Sequence, residues 1–396
     1  MQIADRLIAR VTAAIPLSHW ERADAGTPAR GEGKALINLS VHPSPREPNS
    51  RLVGPLPQGE REQRRTSRNA SRISEVAVLF SILLAATITS FAGENGLDPA
   101  AVPRLTPLNE PPAPEKFARP DALIDSAKLE KWLDELNVRT IVIDGRDAAA
   151  FRISHIPGAR SIQSDLFQDP NLAPYFMPPP RAIAAISKQD GITPTTRIVV
   201  YDDDDGRLAA RIWFTFHAFG HDHISILNGG FAKWRKEKRI TSITMPTLDD
   251  TGTFVPLDTP RGACAFDDLP QYRMRVKVIG QLPTANLLDA RARAEYMGDD
   301  VRGKFGGHIP GAVNLPWQSM TTLNAGVREW RTPAEIHAIL RLSNVDKDFP
   351  IAIYDQAGGR SAHLYFTLWL MGYDTIRNYV GGWRDYGNRD DAEVEK

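Results

Sequence analysis

The chain has 396 residues, which is too long for one ordinary domain and long enough for two domains of average size plus a leader. Its 48 basic and 48 acidic residues balance, so it lacks the excess of Lys and Arg that nucleic-acid binding requires, and we expect no such partner. Its one cysteine, Cys264, excludes an intramolecular disulfide and a cysteine-based zinc site.

The first 71 residues are rich in Arg, Pro, Gly and Ser and keep no period of 2 or 3.6 residues. This composition predicts a disordered leader over residues 1–71. A second interpretation is that the stretch is a translated intergenic repeat and that the gene start was placed too far upstream. Neither interpretation puts a packed core there.

Residues 72–92 have the composition of a secretory signal peptide. Basic residues up to Arg72 precede an apolar run over residues 76–88, and Ser90 and Ala92 place small side chains at the −3 and −1 positions of a cleavage site. The alternative, a transmembrane anchor, needs about 20 apolar residues, and this run is shorter. We therefore expect export to the periplasm, cleavage near Ala92, and no membrane contact beyond the export signal.

One pattern occurs twice in the rest of the chain. The segment HIPGA at residues 155–159 recurs 153 positions later at residues 308–312, and a Tyr-Asp pair at residues 201–202 recurs at 354–355. A Gly-Gly-aromatic triplet at 229–231 recurs at 381–383. A period this long indicates domain duplication. We expect a linker over 93–120, domains over 121–246 and 269–390, a second linker over 247–268 and a tail over 391–396.

Each repeat alternates short apolar strands with helices. The predicted strands cover residues 140–144, 197–202 and 224–227 in the first repeat and 287–289, 351–354 and 376–379 in the second, with helices near 208–219 and 361–371. Apolar strands separated by helices predict an α/β fold with a largely parallel sheet covered on both faces. Such sheets bind ligands at the carboxyl ends of their strands, which directs attention to the loop after Tyr354.

The segments LLDAR, GHIPGAVNLPW, IAIYDQAGGRSA and YVGGWRDYGN resemble the catalytic half of tandem-domain thiosulfate or 3-mercaptopyruvate sulfurtransferases, the rhodanese family. The first repeat resembles their inactive half, and the resemblance covers roughly residues 121–390. It implies two rhodanese-like domains, each a five-stranded parallel sheet flanked by helices, with the active site at the domain interface. It also implies that a loop cysteine carries sulfane sulfur as a persulfide inside a nest of backbone N–H groups.

This sequence departs from the family at the nucleophile, because Asp355 stands where the family has its cysteine. The anion cradle that the resemblance implies consists of Gln356, Ala357, Gly358, Gly359 and Arg360. A carboxylate does not form a persulfide, and we expect it to accept the loop's N–H bonds internally. Cys264 lies in the inter-domain segment, where we expect a structural role.

A second departure concerns substrate charge. Glu295 and Ala357 stand where sulfurtransferases of the thiosulfate type often place cations, and both changes remove attraction for a small anion. Arg291 and Arg293 lie nearby and are candidates to replace those cations in the cradle. The alternative is that they are solvated charges at the start of a helix.

Metal and cofactor sites are not expected. Four acids in a row, residues 202–205, suggest a hard-cation site, but they lack EF-hand spacing, and the family commonly has Asp at the first position. We expect His155 and His308 to be structural hydrogen-bonding residues at a turn. The cluster His217, His221 and His223 lies near a helix end, where an imidazolium would pair with the helix dipole.

Three functions remain open. The chain is a sulfurtransferase relative that is now weak or inactive and acts on a small sulfur-containing anion or an unknown acceptor protein. Alternatively, it is a non-enzymatic module whose cleft binds a partner protein or a cationic ligand. In the third alternative, Asp355 acts as an acid, base or nucleophile in different chemistry, for example on esters or phosphoryl groups.

Overall fold

The computed structural model describes residues 113–163, 176–247, 250–273 and 286–396. The predicted leader over 1–71, the predicted signal peptide over 72–92 and most of the predicted linker over 93–120 lie outside these residues. Among the described helices, none combines the length and apolar composition that a membrane span needs.

The first domain is a five-stranded parallel sheet with helices around it, as the sequence predicts. Its strand order is β1-β5-β4-β2-β3. The strands are β1 (Leu123–Ile124), β2 (Thr140–Asp144), β3 (Arg160–Ser161), β4 (Arg197–Tyr201) and β5 (Ile224–Leu227). The helices are α1 (Ser126–Asp134), α2 (Ala148–Ile153), α3 (Pro180–Asp190), α4 (Arg207–Ala218) and α5 (Gly230–Lys236).

The second domain repeats this plan with a smaller sheet and an added hairpin. Its parallel sheet has the order β11-β10-β6-β7, and β8 pairs with β9 in antiparallel fashion. The strands are β6 (Leu287–Asp289), β7 (Val313–Asn314), β8 (Thr321–Asn324), β9 (Val327–Trp330), β10 (Ile351–Tyr354) and β11 (Ile376–Tyr379). The helices are α6 (Pro270–Arg273), α7 (Arg293–Met297), α8 (Pro333–Leu342), α9 (Gly359–Leu370) and α10 (Gly382–Tyr386), with 3-10 turns at Phe266–Asp268 and Trp317–Met320.

The expected fifth strand of the second domain is reduced to one residue pair. Ala263 forms an isolated parallel bridge with Asn378 on the outer strand β11, and the Cys264 amide donates to the Asn378 carbonyl. Cys264 and Leu269 are buried in the core of this domain. The domain therefore begins inside the segment that the sequence assigned to the linker.

The last residues also belong to the second domain rather than to a separate tail. His308 and Glu395 exchange backbone hydrogen bonds in both directions. Val394 packs against the same buried cluster as Cys264. These contacts fix the chain end against the turn that carries the second HIPGA segment.

Local sequence explains where several elements begin and end. The strands β2, β4 and β10 are rich in Ile and Val and almost fully buried, as expected for a parallel sheet with helices on both faces. Asp147 caps α2 by accepting from Ala149 and Ala150, and Thr332 caps α8 through a reciprocal bond with Glu335. These caps satisfy amides that have no partner within their helices.

The two domains share one hydrophobic cluster, built on helices α4 and α9. The Trp213 ring of α4 meets the Phe366 ring of α9 edge to face, with 4.8 Å between ring centroids, and lies 4.9 Å from the Trp369 ring. Phe214 makes a similar edge contact with Tyr365 at 4.8 Å. Because both helices follow the central strands of their sheets, this contact brings the two central loops close to the domain interface.

The β8–β9 hairpin extends from the second domain onto the first. The Trp330 amide donates to the Asn228 side chain, Glu329 pairs with Lys233, and Arg328 pairs with Asp205. The hairpin therefore covers the loop that follows β4.

Candidate active site

The candidate site is the loop between β10 and α9, at the carboxyl end of the parallel sheet. Gly358 is the N-cap of α9 and has a φ of 89°, a left-handed conformation that favours glycine. An added Cβ at Gly358 would lie 2.8 Å from Nη1 of Arg211 and 2.8 Å from Val380. Glycine is therefore required here for both conformation and space.

The Asp355 carboxylate is enclosed by this loop. It accepts hydrogen bonds from the amides of Ala357 at 3.0 Å, Gly358, and Arg360 at 2.7 Å, and from the Ser361 hydroxyl at 3.3 Å. Asp355 is 2% exposed. The expectation that this carboxylate accepts the loop's own N–H groups is confirmed.

The backbone of the loop is held from its other side by α10. The Asp355 carbonyl accepts from the Trp383 amide at 2.7 Å, and the Gln356 carbonyl accepts from the Arg384 amide at 3.0 Å. The Gln356 side chain donates to the Arg302 carbonyl at 3.0 Å. The start of this loop, at Asp355 and Gln356, is thus held by contacts within the second domain.

Arg360 does not present a separate positive charge to a ligand, because Glu295 takes it up. Two guanidinium nitrogens of Arg360 donate to the two Glu295 oxygens at 2.5 and 2.8 Å. The Glu295 side chain is fully buried, and Arg302 lies 3.8 Å from it. Burial opposes the charged form of Arg360, but the hydrogen bonds to Glu295 and the charge of Asp355 outweigh it and raise the Arg360 pKa.

Arg291 lies elsewhere, which contradicts its expected place in the cradle. Its guanidinium donates to both Asp289 oxygens and to the Gly307 carbonyl, and it stacks 4.4 Å above the Trp383 ring. The first domain repeats this arrangement with Arg146 on Asp144.

The repeated Asp-x-Arg at residues 144–146 and 289–291 was the sequence signal for this structural role. A residue pair that recurs in both repeats, one of which the resemblance marks as inactive, indicates fold rather than chemistry. Arg293 is exposed at the first position of α7, as the solvated-charge interpretation expects.

The first domain closes its equivalent loop in the same way. The Asp202 carboxylate accepts from the amides of Asp204 at 3.1 Å, Gly206 at 2.9 Å and Ala209 at 2.8 Å. Burial raises the Asp202 pKa to about 6, against the opposing effect of these hydrogen bonds. In the part of the chain that the structure describes, no cluster of three or more His, Cys, Asp or Glu side chains is arranged to hold a metal ion.

Sequence reasoning missed Arg211, which the first domain contributes to the second domain's loop. Arg211 is fully buried on α4, and its Nη1 atom lies against Gly358, as the space around that glycine shows. Burial lowers its pKa to about 10, while the charge of Asp355 favours the protonated guanidinium. Arg207 of the same helix reaches Gly359, where an added Cβ would lie 3.3 Å from Nη1.

The histidines of the two HIPGA segments are structural. His155 stacks on Phe151 with 3.9 Å between ring centroids, and His308 stacks on Tyr296 at 3.7 Å. In each ring Nδ1 lies within hydrogen-bond distance of the carbonyl of the stacking residue. These rings anchor the turn that precedes β3 or β7.

The helix-end histidines differ from expectation in charge. Burial lowers the pKa of His217 and of His221 and so opposes the imidazolium form that the helix end would favour. His217 lies 3.2 Å from Asp222 and stacks 4.7 Å from Trp213.

Cys264 is buried in the second domain's core, where burial raises its thiol pKa to about 12. A thiol held in this state is neither a thiolate nor exposed, so it lacks the features of a reactive cysteine. Its structural role is therefore confirmed.

The comparisons with known proteins agree with this geometry. The family profile of the rhodanese-like domain matches residues 125–237 and again residues 276–389. The chain belongs to the rhodanese family. Both matches lie inside the domains expected at 121–246 and 269–390, so the tandem organisation that the repeat predicts is confirmed.

The rhodanese relatives include named sulfurtransferases. The thiosulfate sulfurtransferase of Azotobacter vinelandii is 32% identical over 286 residues, covering 71% of this chain and 99% of its own. That of Corynebacterium glutamicum is 31% identical over 296 residues, covering 71% and 93%. The sulfur carrier protein TtuD of Thermus thermophilus is 29% identical over 283 residues, covering 69% and 95%.

Among solved structures, an EanB variant carrying a cysteine persulfide, with ergothioneine, is similar with a TM-score of 0.60. The match covers 71% of each chain at 22% identity. At this identity the likeness establishes the rhodanese fold alone.

Proposed function

We propose that this chain is an exported rhodanese-family protein, related to thiosulfate or 3-mercaptopyruvate sulfurtransferases, that no longer carries sulfur on its second-domain loop. The observation that carries this proposal is the closed Asp355 loop. The carboxylate accepts three amides and a hydroxyl, the donors that would otherwise surround a bound anion. The protein thus supplies its own anion to the cradle.

The chemistry of the missing step supports this proposal. In sulfur transfer from thiosulfate, a thiolate attacks the outer sulfur, the S–S bond breaks, and sulfite leaves with the electron pair. Cyanide then attacks the outer sulfur of the persulfide, so that thiocyanate forms and the thiolate is regenerated. A carboxylate at this position cannot form that persulfide, and Cys264 is buried in another part of the domain.

The ligand that fits the relatives' chemistry is a small sulfur-containing anion or an acceptor protein. Thiosulfate sulfurtransferases and a sulfur carrier protein are both among the relatives. The charge at the loop mouth nevertheless opposes a free anion, because Glu295 neutralises Arg360. We therefore expect binding of any small anion to be weak in the wild type.

The test is thiocyanate formation from thiosulfate and from 3-mercaptopyruvate, with wild type and Asp355→Cys measured side by side. We expect an inactive wild type and an active variant, because the glycines and the amide nest remain in place. Ordinary turnover by the wild type would disprove the loss of persulfide chemistry. Asp355→Asn serves as the control, since it alters the carboxylate without adding a nucleophile.

A second candidate is a non-enzymatic module that uses the two-domain cleft for binding. The buried Glu295–Arg360 pair favours it, because this pair removes a cation from the loop independently of the nucleophile. This candidate predicts that Asp355→Cys remains inactive with both donors. In that case the double variant Asp355→Cys with Glu295→Gln, which frees the Arg360 charge, is assayed. Thiocyanate formation by it indicates a repairable site, and no thiocyanate indicates a rebuilt one.

Export and cleavage near Ala92 form a separate part of the proposal, supported by the basic, apolar and small residues of 72–92. Cell fractionation combined with N-terminal sequencing of the mature protein tests it. A mature chain that begins at residue 93 in the periplasm is expected. A cytoplasmic protein that retains residues 72–92 would overturn export while leaving the site chemistry untouched.

A further inference from the structure

Arg211 is a fully buried guanidinium, and the persulfide chemistry does not explain why a cation stands there. Burying a charge costs free energy unless an acid compensates it. Arg211 is a first-domain residue, yet it lies against Gly358 in the second domain's loop. Among the described residues, the charged side chains around that loop include Arg207, Arg211, Glu295, Arg302, Arg360 and Arg384.

Asp355 is the acid of this loop whose charge acts on Arg211, which also donates to the Phe176 carbonyl at 3.3 Å. Arg360 lies 3.8 Å from the same carboxylate. Glu295 already binds Arg360 through both oxygens. The charge of Asp355 favours the protonated form of Arg211, whereas the charge of Arg384 opposes it. The first-domain guanidinium therefore lies against Gly358, whose amide donates to the enclosed carboxylate, and the two opposite charges attract each other across the domain interface.

The duplicated fold provides an internal control for this role. The hydroxyl of Thr215 donates to the Arg211 carbonyl, and the hydroxyl of Thr367 donates to the His363 carbonyl, so Arg211 and His363 occupy equivalent helix positions. His363 is fully buried and stacks 4.4 Å from the Trp330 ring. Burial lowers its pKa to about 3, so it is neutral.

The same helix position thus carries a neutral ring on α9, stacked on the Trp330 ring that lies against Gly206 of the first loop, and a cation on α4, against Gly358 of the second loop. Packing of α4 against α9 does not itself demand an arginine, since the equivalent position on α9 accommodates an uncharged ring. The charge correlates with the loop that the family uses for sulfur chemistry, which indicates a role in that loop's electrostatics.

We propose that Arg211 is a positioning residue that the first domain supplies in trans to the second domain's loop, where it stabilises the anion held at position 355. This inference rests on the proposed function in one respect, the identity of the loop as the former sulfur site. In the wild type the anion is the Asp355 carboxylate. In Asp355→Cys it is the thiolate, and Arg211 then takes the place of the cation that Glu295 neutralises on Arg360.

The experiment follows the introduced thiol directly. Thiolate absorbance in the ultraviolet is recorded against pH for Asp355→Cys, with the wild type subtracted to remove Cys264 and the tyrosines. The titration is repeated with Arg211→Met, which keeps the apolar stem, and with Arg211→Lys, which keeps the charge. Arg261→Met is the matched control, because Arg261 donates to the His217 carbonyl at the opposite end of α4.

We expect Arg211→Met to raise the titration midpoint by at least about one pH unit, the size of effect that a nearby opposite charge produces. Arg211→Lys should restore most of the shift, and Arg261→Met should leave the midpoint in place. If the role of Arg211 were purely structural, its variants would change thermal stability without a selective shift of the thiol titration midpoint in the neutral variants. Arg211→Gln provides a second neutral variant if Arg211→Met does not fold.

An unchanged midpoint in a folded neutral variant overturns the role of Arg211. The titration needs no sulfur transfer, so it is separate from the thiocyanate assay. A shifted midpoint without thiocyanate formation retains the electrostatic role and rejects the repairable sulfurtransferase. Thiocyanate formation with an unchanged midpoint retains the repairable sulfurtransferase and rejects the electrostatic role of Arg211.

Discussion

Asp202 and Asp355 stand at the same point of the two repeats, and their surroundings differ more than their own hydrogen bonds. Each follows a central strand and accepts amides from the start of the next helix. Around Asp202, the Trp330 ring of the hairpin lies against Gly206 and closes the loop from outside. Around Asp355, guanidinium groups approach from both domains.

This difference distinguishes the conformation of the loop from the electrostatics of the site. Closure of the loop on an internal carboxylate occurs in both domains, including the one whose sequence resembles the family's inactive half, so it is a property of the turn. The first loop also has guanidinium neighbours, but each pairs with a neighbouring acid rather than with the enclosed Asp202: Arg146 with Asp203, Arg207 with Asp204 and Arg328 with Asp205. In the second loop, a guanidinium nitrogen of Arg360 lies 3.8 Å from the enclosed Asp355 itself. A carboxylate at position 355 therefore preserves the loop's shape and lies near a guanidinium, that of Arg360, which Glu295 also binds.

The largest expected loss of stability comes from removing Trp330, the side chain that covers the first loop. Trp330 packs against His363 and Phe366 and donates to the Thr367 hydroxyl at 2.9 Å. Trp330→Ala should reduce the free energy of unfolding by about 3–5 kcal/mol, because it removes a buried aromatic side chain and leaves a cavity. Chemical denaturation measures this loss.

Leu323→Ala is the matched control in the same hairpin, because Leu323 is 63% exposed. We expect it to change stability by at most about 0.5 kcal/mol. Equal losses in the two variants would show that the hairpin is not a packed cover for the first loop.

The next largest loss of stability is expected from breaking the Glu295–Arg360 pair of the second loop. Glu295→Gln leaves the Arg360 guanidinium, whose side chain is 14% exposed, without its bidentate acid. We expect a loss of about 3 kcal/mol, at the lower end of the range for breaking a buried pair. Glu135→Gln, which breaks the more exposed pair with Arg197, should cost about 1 kcal/mol or less. A Glu295→Gln variant as stable as Glu135→Gln would mean that solvent already screens the Arg360 charge.

A smaller loss of stability is expected at Gly358, which has no side chain and so leaves space for Arg211. Gly358→Ala should cost about 2 kcal/mol, from the left-handed backbone and from the clash with Arg211 and Val380. Gly326 has a similar φ of 85° and no atom within 4 Å of an added Cβ. Gly326→Ala should therefore cost only the backbone contribution of about 1 kcal/mol. The difference between the two variants measures crowding at the loop, and equal costs would remove the evidence for close contact with Arg211.

Much of the architecture could be predicted because its signals are local. Ile- and Val-rich runs determine the buried parallel strands, and a shared landmark spacing reveals the duplication. The internal bonding of Asp355 also followed from a short polar side chain at the start of a glycine-containing turn. In these cases the interacting groups lie within a few residues of one another.

The remaining features could not be predicted because they join distant parts of the chain. Glu295 and Arg360 are 65 positions apart, and no local pattern pairs them. Arg211 lies on the apolar helix α4, and only the packing of α4 against α9 shows which loop it approaches. Arg291 is a different case, since its recurrence as Arg146 in the first repeat is a local sequence signal for a structural role.

The pH dependence of stability sharpens the same comparison between the two loops. The Asp202 pKa is raised to about 6 by burial, whereas an unfolded aspartate has a model value of 3.8. The folded state therefore binds the proton more tightly, so the stabilising contribution is present at pH values below the unfolded pKa and is lost as pH rises through about 6. Asp202→Asn removes this dependence, and we expect the wild type to lose about 1–3 kcal/mol relative to the variant between pH 4 and pH 7.

Asp222 provides the opposite sign as an internal check on that measurement. Hydrogen bonds from His217 and Arg261 lower its pKa to about 2, so its contribution is present above pH 4 and is lost as pH falls toward 2. Unfolding free energies of Asp222→Asn should therefore diverge from the wild type at neutral pH and converge in acid, in contrast to those of Asp202→Asn. If Asp202→Asn instead follows the Asp222→Asn pattern, then amide bonding outweighs burial at Asp202, and the enclosed carboxylate is an anion in the first loop.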